Sequence, residues 1–443
     1  MSFDWPTVTL AEITSRIGDG LHGTPKYDDN GDYYFINGNN LSNGKIVINE
    51  KTKRTDESQY LKHKKDLNDR TLLVSINGTL GNIGTYQGEK VFLGKSACYL
   101  NVLPNVNKDY VMYVLSSKHF QDYIHNLATG STIKNVGLKL IREYEFQLPD
   151  ITTQNKIANV LVSIDSKISV NQQINQTLEE MAQAIFKSWF VDFDPVKAKM
   201  NGEQPEGMDA ATASLFPDQL VESELGLIPE GWSVEEAKSQ LDVLRGFSYK
   251  GKGLVGSLDE GVPMHNLNSV LEGGGYKYAG LKFYSEEFKE KFAIQEGDVL
   301  VANTEQGHNH LLIGYGAMVP KHLAHGFFSH HTYRVRPKKN SNMTPEFIER
   351  LFGKGRFVRQ VQGFTNGTTV NMLPVAGMEM PQFVVPSKAL AQKFSELVKP
   401  MKAMIEENHK SNIELAKLRD TLLPKLLSGE IELGQAQELA EVE

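Results

Sequence analysis

The sequence predicts an α+β protein, in which two similar mixed α/β domains are separated by two long helices that form an antiparallel coiled coil. Three observations support this prediction. Two globular stretches share a series of short phrases, each is followed by an apolar period typical of a long helix, and an acidic segment rich in Pro and Gly joins the two halves. The repeated order of domain and helix indicates a pseudo-two-fold duplication.

The clearest repeat closes each globular stretch. Residues 127–149, LATGSTIKNVGLKLIREYEFQLP, correspond to residues 364–386, FTNGTTVNMLPVAGMEMPQFVVP. Each copy has a glycine, two hydroxyl residues and an apolar-rich stretch that ends in proline. The two copies lie 237 residues apart, and a period this long is typical of a duplicated domain and not of a solenoid. Weaker matches are WPTVTLAEI at 5–13 with WSVEEAKSQL at 232–241, and DYVMYVLSSKHF at 109–120 with EFIERLFGKGRF at 346–357.

These patterns divide the chain into six segments. Inside each globular stretch, short β-like runs separated by Gly, Asn and Asp accompany one helical stretch, which is typical of an α+β domain. The predicted segments are a first domain at 1–150, a first helix at 151–193, a linker at 194–228, a second domain at 229–386, a second helix at 387–428 and an acidic tail at 429–443.

Each predicted helix begins with a capping residue that follows proline, Asp150 or Ser387. Apolar residues then recur at steps of 3 and 4, and eight steps over 28 residues average 3.5, which is the coiled-coil period. Asn171 and Asn408 interrupt both seams at the same offset, as core asparagines that fix register do. An ordinary amphipathic helix on its own domain is the alternative. The predicted seam is Ile157, Leu161, Ile164, Ile168, Asn171, Ile174, Leu178, Met181 and Ile185, then Phe394, Val398, Met401, Ile405, Asn408, Ser411, Leu415, Leu418 and Leu422.

The helix pair is long enough to act as a spacer. Antiparallel pairing would place the two domains at opposite ends of a helix pair that spans roughly 50 Å for about 35 residues. One turn of B-DNA separates half-sites by about 34–36 Å. We therefore predict two domains on one duplex. Because the two copies differ in sequence, we expect a split and non-palindromic target.

Composition limits the partners and the compartment. The net charge is −7, but Lys and Arg number 17 against 17 Asp and Glu in residues 1–150, and 17 against 16 in residues 229–386. Neutral domains can carry local basic patches, although weak affinity for nucleic acid alone is expected. The single cysteine, Cys98, excludes an internal disulfide. No run reaches the ~18 apolar residues of a bilayer span and the N-terminus lacks a signal-peptide pattern, so we expect a cytoplasmic protein with no membrane partner.

The search for catalytic motifs gives little. The sequence contains no P-loop. G-x-G-x-x-G occurs at 18–23 and at 251–256, but neither copy is followed by a stretch that can begin a helix, so close backbone approach is the better interpretation. The second domain is rich in histidine, and a metal-dependent enzyme that uses this domain is the alternative function. No matching cluster exists in the first domain, and we predict no metal. These histidines are His308, His310, His322, His325, His330 and His331.

Basic stretches at 51–65, 332–340 and 353–360 are candidates for phosphate contacts, with a solvated surface as the alternative. The Gly-hydroxyl phrases are further candidates, because hydroxyls and backbone N–H groups bind phosphate; a simple turn is the alternative. The candidate DNA-binding residues are His22, Thr24, Lys26, Lys53, Arg54, Ser131, Thr132, Lys134, Lys250, Lys252, Arg334, Arg336, Thr368, Thr369 and Asn371.

The chain resembles the specificity subunit of type I restriction-modification enzymes along nearly its full length. The stretches that carry the resemblance are DGLHGTPKY at 19–27, SWFVDFDPVKAK at 188–199, LRDTLLPKLLSGEIEL at 418–433 and the paired Gly-hydroxyl-Thr phrases that end in proline. Their order, duplicated around two helices, is specific. FSYKGKG in the second domain replaces the HGTPKY of the first, so contact residues cannot be transferred from one domain to the other.

The resemblance implies a non-catalytic subunit with two target-recognition domains, each of which reads half of a bipartite sequence in double-stranded DNA. It implies that the helices bind two methyltransferase subunits, which use S-adenosylmethionine to methylate a flipped adenine. It also implies restriction/translocase subunits that use ATP and Mg²⁺, and no cofactor in this chain. An adaptor that binds only protein is a further alternative.

Overall fold

The computed structural model describes residues 5–130, 133–307, 309–367 and 369–431. The chain divides into two compact units. The first unit is Met1–Asn171 with Lys410–Glu443, and the second is Gln172–His409. Each unit contains one globular domain and one part of each of two long helices. The predicted α+β class with two long helices is confirmed.

The first domain is built mainly on strands. Its strands are β1 (Thr7–Thr9), β2 (Thr14–Asp19), β3 (Tyr33–Ile36), β4 (Leu41–Ser42), β5 (Gly44–Ile46), β6 (Arg54–Thr55), β7 (Thr71–Ser75), β8 (Ile83–Thr85), β9 (Val91–Leu93), β10 (Ala97–Val102) and β11 (Glu145–Gln147). The helices of this half are α1 (Glu57–His63), α2 (Lys108–Ser116), α3 (Lys118–Leu127), α4 (Leu138–Arg142) and the long α5 (Ile151–Phe190).

The second half repeats this composition. Its strands are β12 (Leu220–Ser223), β13 (Gly226–Pro229), β14 (Ser233–Glu236), β15 (Leu241–Arg245), β16 (Leu254–Val255), β17 (Val262–His265), β18 (Lys282–Tyr284), β19 (Val299–Ala302), β20 (Thr304–Gln306), β21 (Gly316–Met318), β22 (Phe327–Phe328), β23 (Thr332–Pro337), β24 (Val370–Met372) and β25 (Gln382–Val385). Its helices are α6 (Asp194–Met200), α7 (Ala210–Ser214), α8 (Ala237–Gln240), α9 (Pro345–Leu351), α10 (Arg356–Gly363), α11 (Ala376–Glu379) and the long α12 (Lys388–Leu427).

The two domains share one strand order, which confirms the predicted duplication. The antiparallel run β2-β10-β7-β8 corresponds to β15-β23-β19-β21, and the pair β1-β11 corresponds to β14-β25. The parallel pair of β3 with β9 corresponds to that of β17 with β22. The helical stretch predicted in each domain is two helices, α2 with α3 and α9 with α10.

The long helices are part of the core of each unit. In the first unit, Leu161 of α5 and Leu415 of α12 are buried in one cluster with Tyr110. In the second unit, Phe190 and Phe394 share a cluster whose rings pack edge to face. Such aromatic contacts add about 0.5–1.5 kcal/mol each beyond burial. The units therefore depend on these helix segments for stability.

Both predicted helix starts are confirmed. Asp150 Oδ1 accepts the backbone N–H groups of Thr152 at 2.9 Å and Thr153 at 3.1 Å, immediately before α5. Ser387 Oγ accepts the backbone N–H of Leu390 at 3.4 Å, before α12. These bonds satisfy N–H groups that have no partner inside the helix.

Each of the nine predicted seam residues of α12, from Phe394 to Leu422, is buried or half-buried. The predicted seam residues of α5 from Ile157 to Asn171 are also buried or half-buried. Beyond it, the predictions for Ile174 and Met181 were wrong, since these side chains are 38% and 46% exposed. The predicted pattern took two consecutive steps of 3, whereas a helix with 3.6 residues per turn needs a step of 4 there. Asn175 and Ala182 are therefore the buried residues.

Asparagine pairs join the helices in each unit. In the first unit, Asn171 Nδ2 donates to Asn412 Oδ1 at 3.0 Å. In the second unit, Asn408 Nδ2 donates to Asn175 Oδ1 at 2.8 Å. Both predicted asparagines thus have a hydrogen-bonding partner on the other helix. In the first unit Asp165 also contacts Arg419, so numbering falls along α12 as it rises along α5, and the helices are antiparallel there.

The segment 194–228, predicted as a linker, is ordered and packs into the second unit. Val196 and Phe216 are almost fully buried, and the Phe216 ring lies 5.2 Å from that of Trp189. Its Pro, Gly and acidic residues suggested a linker, but the segment instead contains short helices and turns. Most of the predicted acidic tail, residues 432–443, lies outside the described residues. Within the described ranges, no helix is both long and apolar enough to cross a membrane.

Candidate nucleic-acid interface

Loops at one end of the first domain are joined by backbone hydrogen bonds. We call this set the first loop face: residues 21–27, 36–40, 76–81, 94–96, 129–130 and 133–136. The joining N–H···O bonds run from Lys95 to Leu21 at 3.0 Å, from Gly94 to Ile36 at 2.8 Å, from Ile76 to Ser96 at 3.0 Å and from Gly78 to Lys134 at 3.0 Å. Backbone bonds of this kind fix the loops relative to the sheet, so side chains on them are positioned in advance.

Cations and tyrosines lie together beside this face. Lys53 Nζ lies 5.7 Å from the centre of the Tyr27 ring, and the Arg54 guanidinium lies 4.9 Å from that of Tyr34. A groove of ≈ 300 Å³ adjoins them and is lined by Tyr27, Phe35, Asn37, Asn39, Asn40, Val47, Asn49, Lys51, Thr52 and Lys53. Amides read base edges, and lysines contact phosphates. Lys53 and Arg54 were predicted, whereas the asparagines and tyrosines were not.

Four more of the predicted contacts of the first domain, His22, Thr24, Lys26 and Lys134, lie on the first loop face. His22, Thr24 and Lys26 are exposed in the loop after β2, and His22 Nε2 lies 2.5 Å from Asp19 Oδ2. Lys134 is exposed, and its carbonyl oxygen accepts the backbone N–H of Gly78 at 3.0 Å. Ser131 and Thr132 lie outside the described residues. The structure therefore brings together residues that are separated by more than a hundred positions in the sequence.

The glycines that begin the Gly-hydroxyl phrases have a backbone conformation that favours glycine. Gly130 and Gly367 have φ values of 101° and 132°, which only glycine adopts easily. A Cβ atom on Gly130 would lie 2.3 Å from the carbonyl oxygen of Ile133, and one on Gly367 would lie 2.1 Å from that of Val370. Each phrase therefore requires glycine at its first position, and a phosphate contact by the hydroxyl residues that follow stays a prediction.

Corresponding loops of the second domain form the second loop face: residues 246–250, 265–269, 303–307, 329–331, 366–367 and 369–372. The joining N–H···O bonds run from His330 to Phe247 at 2.9 Å, from Ser329 to His265 at 2.8 Å, from Asn303 to His331 at 3.1 Å and from Gly307 to Thr369 at 3.2 Å. The two faces use the same loops in the same order, because the strands between the loops have the same order.

The side chains of the second loop face differ from those of the first. The rings of His330 and His331 lie 3.9 Å apart, and His331 Nδ1 lies 3.2 Å from Thr304 Oγ1. Burial lowers the pKa of His331, and the neighbouring His330 and Arg245 lower it further. This face therefore offers imidazole groups, with the guanidinium of Arg245 next to it in the sequence, where the first face offers lysine, tyrosine and amide groups.

The predicted contacts of the second domain fall into two groups. Lys250, Lys252 and Thr369 are exposed, and Lys252 pairs with Glu286 at 2.9 Å. Thr368 lies outside the described residues. Asn371 is buried and donates to the carbonyl oxygen of Gly307 at 2.9 Å, so it holds the loop.

Arg334 and Arg336 lie on β23, inside the sheet. Arg334 Nη2 pairs with Asp242 at 3.0 Å, and Arg336 Nη2 pairs with Asp298 at 2.7 Å. The Arg334 side chain is only 8% exposed. These ion pairs connect β23 to neighbouring segments, so both guanidinium groups are engaged inside the domain.

The remaining histidines are dispersed. His265 is buried, His310 Nε2 lies 3.3 Å from Thr365 Oγ1, and His322 stacks on Tyr278. In the described part of the chain, no three His, Cys, Asp or Glu residues are grouped so as to hold a metal ion. His308 lies outside that part.

Comparisons with known proteins extend the resemblance seen in the sequence. Residues 3–180 match the family model of the type I restriction modification DNA specificity domain. The type I restriction enzyme MjaIX specificity subunit of Methanocaldococcus jannaschii is 24% identical over 98% of this chain and 94% of its own length. The HindI specificity subunit of Haemophilus influenzae is 25% identical over 76% of this chain and 81% of its own.

One solved structure has the same fold. The S subunit of a type I restriction-modification system from M. genitalium matches with a TM-score of 0.54 and 16% identity, and the match covers 96% of both chains. The likeness extends along the whole chain, as the duplicated sequence phrases do. The resemblance to specificity subunits of type I restriction-modification enzymes is confirmed.

Proposed function

We propose that this chain is the DNA-recognition subunit of a type I restriction-modification complex, and that each unit reads one half of a split target in double-stranded DNA. The duplicated loop face carries the proposal. Two domains with one strand order present corresponding loops, and a shared backbone with different side chains is suited to reading two different short sequences. The target is therefore asymmetric.

The chemistry of the first loop face fits a division between phosphate and base contacts. Lys26, Lys53 and Lys134 are exposed cations that would contact phosphates and set the position of the duplex. The amides of the adjoining groove would read base edges. Because the domain is close to neutral, its own electrostatic attraction to DNA is weak and partner subunits supply part of the affinity.

The helices are the proposed docking sites for two methyltransferase subunits. In the second unit, Ile174 and Met181 of α5 and Leu397 and Met404 of α12 are 38%, 46%, 39% and 52% exposed. Large apolar side chains on a surface helix are typical of a protein interface. Adenine methylation with S-adenosylmethionine would occur in those partners, and restriction subunits that use ATP and Mg²⁺ would join them. This chain holds none of these cofactors in the proposed complex.

A domain exchange tests the proposal. Residues 1–150 would be replaced by the matching domain of another specificity subunit, and the complex with methyltransferase would modify random DNA. Sequencing that maps methylated adenines should give a bipartite motif in which only one half has changed. Replacement of residues 229–386 is the matched control and should change only the other half. A motif with a single part, or a change in both halves after one exchange, would overturn the proposal.

A further inference from the structure

Two short turns occupy the same place in the two loop faces. Residues 37–40, Asn-Gly-Asn-Asn, follow β3, and residues 266–269, Asn-Leu-Asn-Ser, follow β17. In both, the backbone N–H of the first residue donates to the side chain of the fourth. The distances are 3.1 Å from Asn37 to Asn40 Oδ1 and 3.1 Å from Asn266 to Ser269 Oγ. The sequences differ at two of four positions, yet the third is asparagine in both.

The turn of the first unit is held rigidly. Ser96 Oγ donates to Asn37 Oδ1 at 2.9 Å, and Asn40 Nδ2 donates to the carbonyl oxygen of Val47 at 3.2 Å. A Cβ atom on Gly38 would lie only 2.0 Å from Ser75 Oγ, so the backbone is packed closely against β7.

The turn of the second unit is also held by side-chain hydrogen bonds, although different atoms form them. Asn266 Nδ2 donates to the carbonyl oxygens of Met264 at 3.2 Å and Gly280 at 3.0 Å. Asn266 Oδ1 accepts the backbone N–H of Asn268 at 2.8 Å. In each unit, the flanking polar side chains are therefore used to hold the turn itself.

The third residue differs from its neighbours. Asn39 and Asn268 are exposed, and no atom of the described residues forms a hydrogen bond with either side-chain amide. Each amide offers a carbonyl acceptor and an NH₂ donor side by side. That pair matches the N6 donor and N7 acceptor of adenine in the major groove. Asn39 also lines the groove that contains Lys51 and Lys53, which would contact the phosphates beside the base.

We propose that Asn39 and Asn268 are equivalent base-reading residues, each of which selects an adenine in its own half-site. The inference rests on the proposed function. A rigid turn with one free amide loses little conformational entropy on binding, so most of the hydrogen-bond energy contributes to discrimination between bases. Bidentate contacts of this kind discriminate by about 1–3 kcal/mol, which is roughly 5- to 150-fold in affinity.

The test is selection from a pool of random-sequence DNA duplexes by the full chain in complex with methyltransferase. Asn39→Ala should lower the preference for adenine at one position of the first half-site by about 5- to 150-fold and leave the second half-site unchanged. Asn268→Ala should do the reverse. Asn39→Asp should shift the preference towards cytosine, because a carboxylate only accepts hydrogen bonds and the N4 amino group of cytosine donates one.

Controls separate base reading from general effects. Asn105 and Asn340 are exposed after β10 and β23, at the ends of these strands that lie away from the loop faces, and their alanine variants should select the wild-type motif. If Asn39→Ala selects the wild-type motif, or weakens binding equally at all positions, base reading by this turn is wrong although the proposed function stands. If the wild-type complex selects no bipartite motif, the proposed function itself fails. Thermal unfolding of each variant should match the wild type.

Discussion

Acidification should destabilise the second unit through one buried imidazole. His265 is 0% exposed at the end of β17. Its Nε2 lies 3.1 and 3.2 Å from the carbonyl oxygens of Leu323 and His325, and its Nδ1 lies 2.9 Å from the Tyr276 hydroxyl oxygen. In the neutral tautomer, Nε2–H donates to the carbonyls and Nδ1 accepts from Tyr276. Burial lowers the pKa of His265 from 6.5 to about 4, because the charged ring would lose its hydration.

The size and direction of the effect follow from proton linkage. The unfolded chain binds the proton near pH 6.5, and the folded unit binds it only near pH 4. The contribution of the neutral ring to stability is therefore complete above pH 6.5 and is lost as the pH falls towards 4. The full difference is about 3 kcal/mol, and the loss between pH 7 and pH 5 is about 2 kcal/mol.

The assay is urea unfolding of the full chain at pH 7 and pH 5, followed by tryptophan fluorescence. Trp189 and Trp232 are buried in the core of the second unit and report on it. His265→Gln removes the titrating group, so its free energy of unfolding should change by about 2 kcal/mol less over this range than that of the wild type. His325→Gln, an exposed neighbour that keeps its carbonyl group, is the matched control. Equal pH dependence in the wild type and His265→Gln would refute the reasoning.

Other substitutions test the ion pairs, the loops and the phosphate contacts. Lys402 forms an ion pair with buried Glu349. Lys402→Met should therefore lower the free energy of unfolding of the second unit in urea by about 3 kcal/mol, and adding Glu349→Gln should recover part of that loss. Full stability of the single variant would contradict this prediction. Gly130→Ala should lower the free energy of unfolding, measured by thermal unfolding, by about 1–3 kcal/mol and should weaken binding of the first half-site. Gly137→Ala should change neither, because a Cβ atom at Gly137 has no neighbouring atom within 4 Å. Lys53→Ala should weaken binding to all duplexes alike and reduce the slope of log K against log salt by about one, and a sequence-dependent loss would argue against a phosphate contact.

Much of the helical architecture could be predicted because it depends on local periodicity. On α12, seven of the nine predicted seam positions are apolar, and all nine are buried or half-buried. On α5 the true seam passes through Asn175 and Ala182, which carry little apolar signal, while Met181 beside them is apolar and exposed. Prediction from the hydrophobic pattern alone therefore selected the apolar Met181 and not its buried neighbour Ala182. The duplication was also visible, because the Gly-hydroxyl loops require glycine at the same place in both copies.

The candidate site was less accessible to sequence reasoning. Arg334 and Arg336 were chosen as cations in a basic stretch, but their partners Asp242 and Asp298 are distant in sequence and the ion pairs exist only in the folded sheet. Asn39 and Asn268 had a signal that was missed, since INGNN at 36–40 and HNLNS at 265–269 follow matching strands. Which asparagine in each turn remains free depends on hydrogen bonds that no local pattern reveals.

The first unit is discontinuous in the chain, and this has a consequence for its synthesis. Its core includes Leu415 and Leu422 of α12, which leave the ribosome after the whole second unit has been made. The second unit is one continuous segment and can complete its core earlier. The first unit therefore completes its core only after the carboxyl-terminal helix has been synthesised. A premature stop within α12 would impair the half that was translated first.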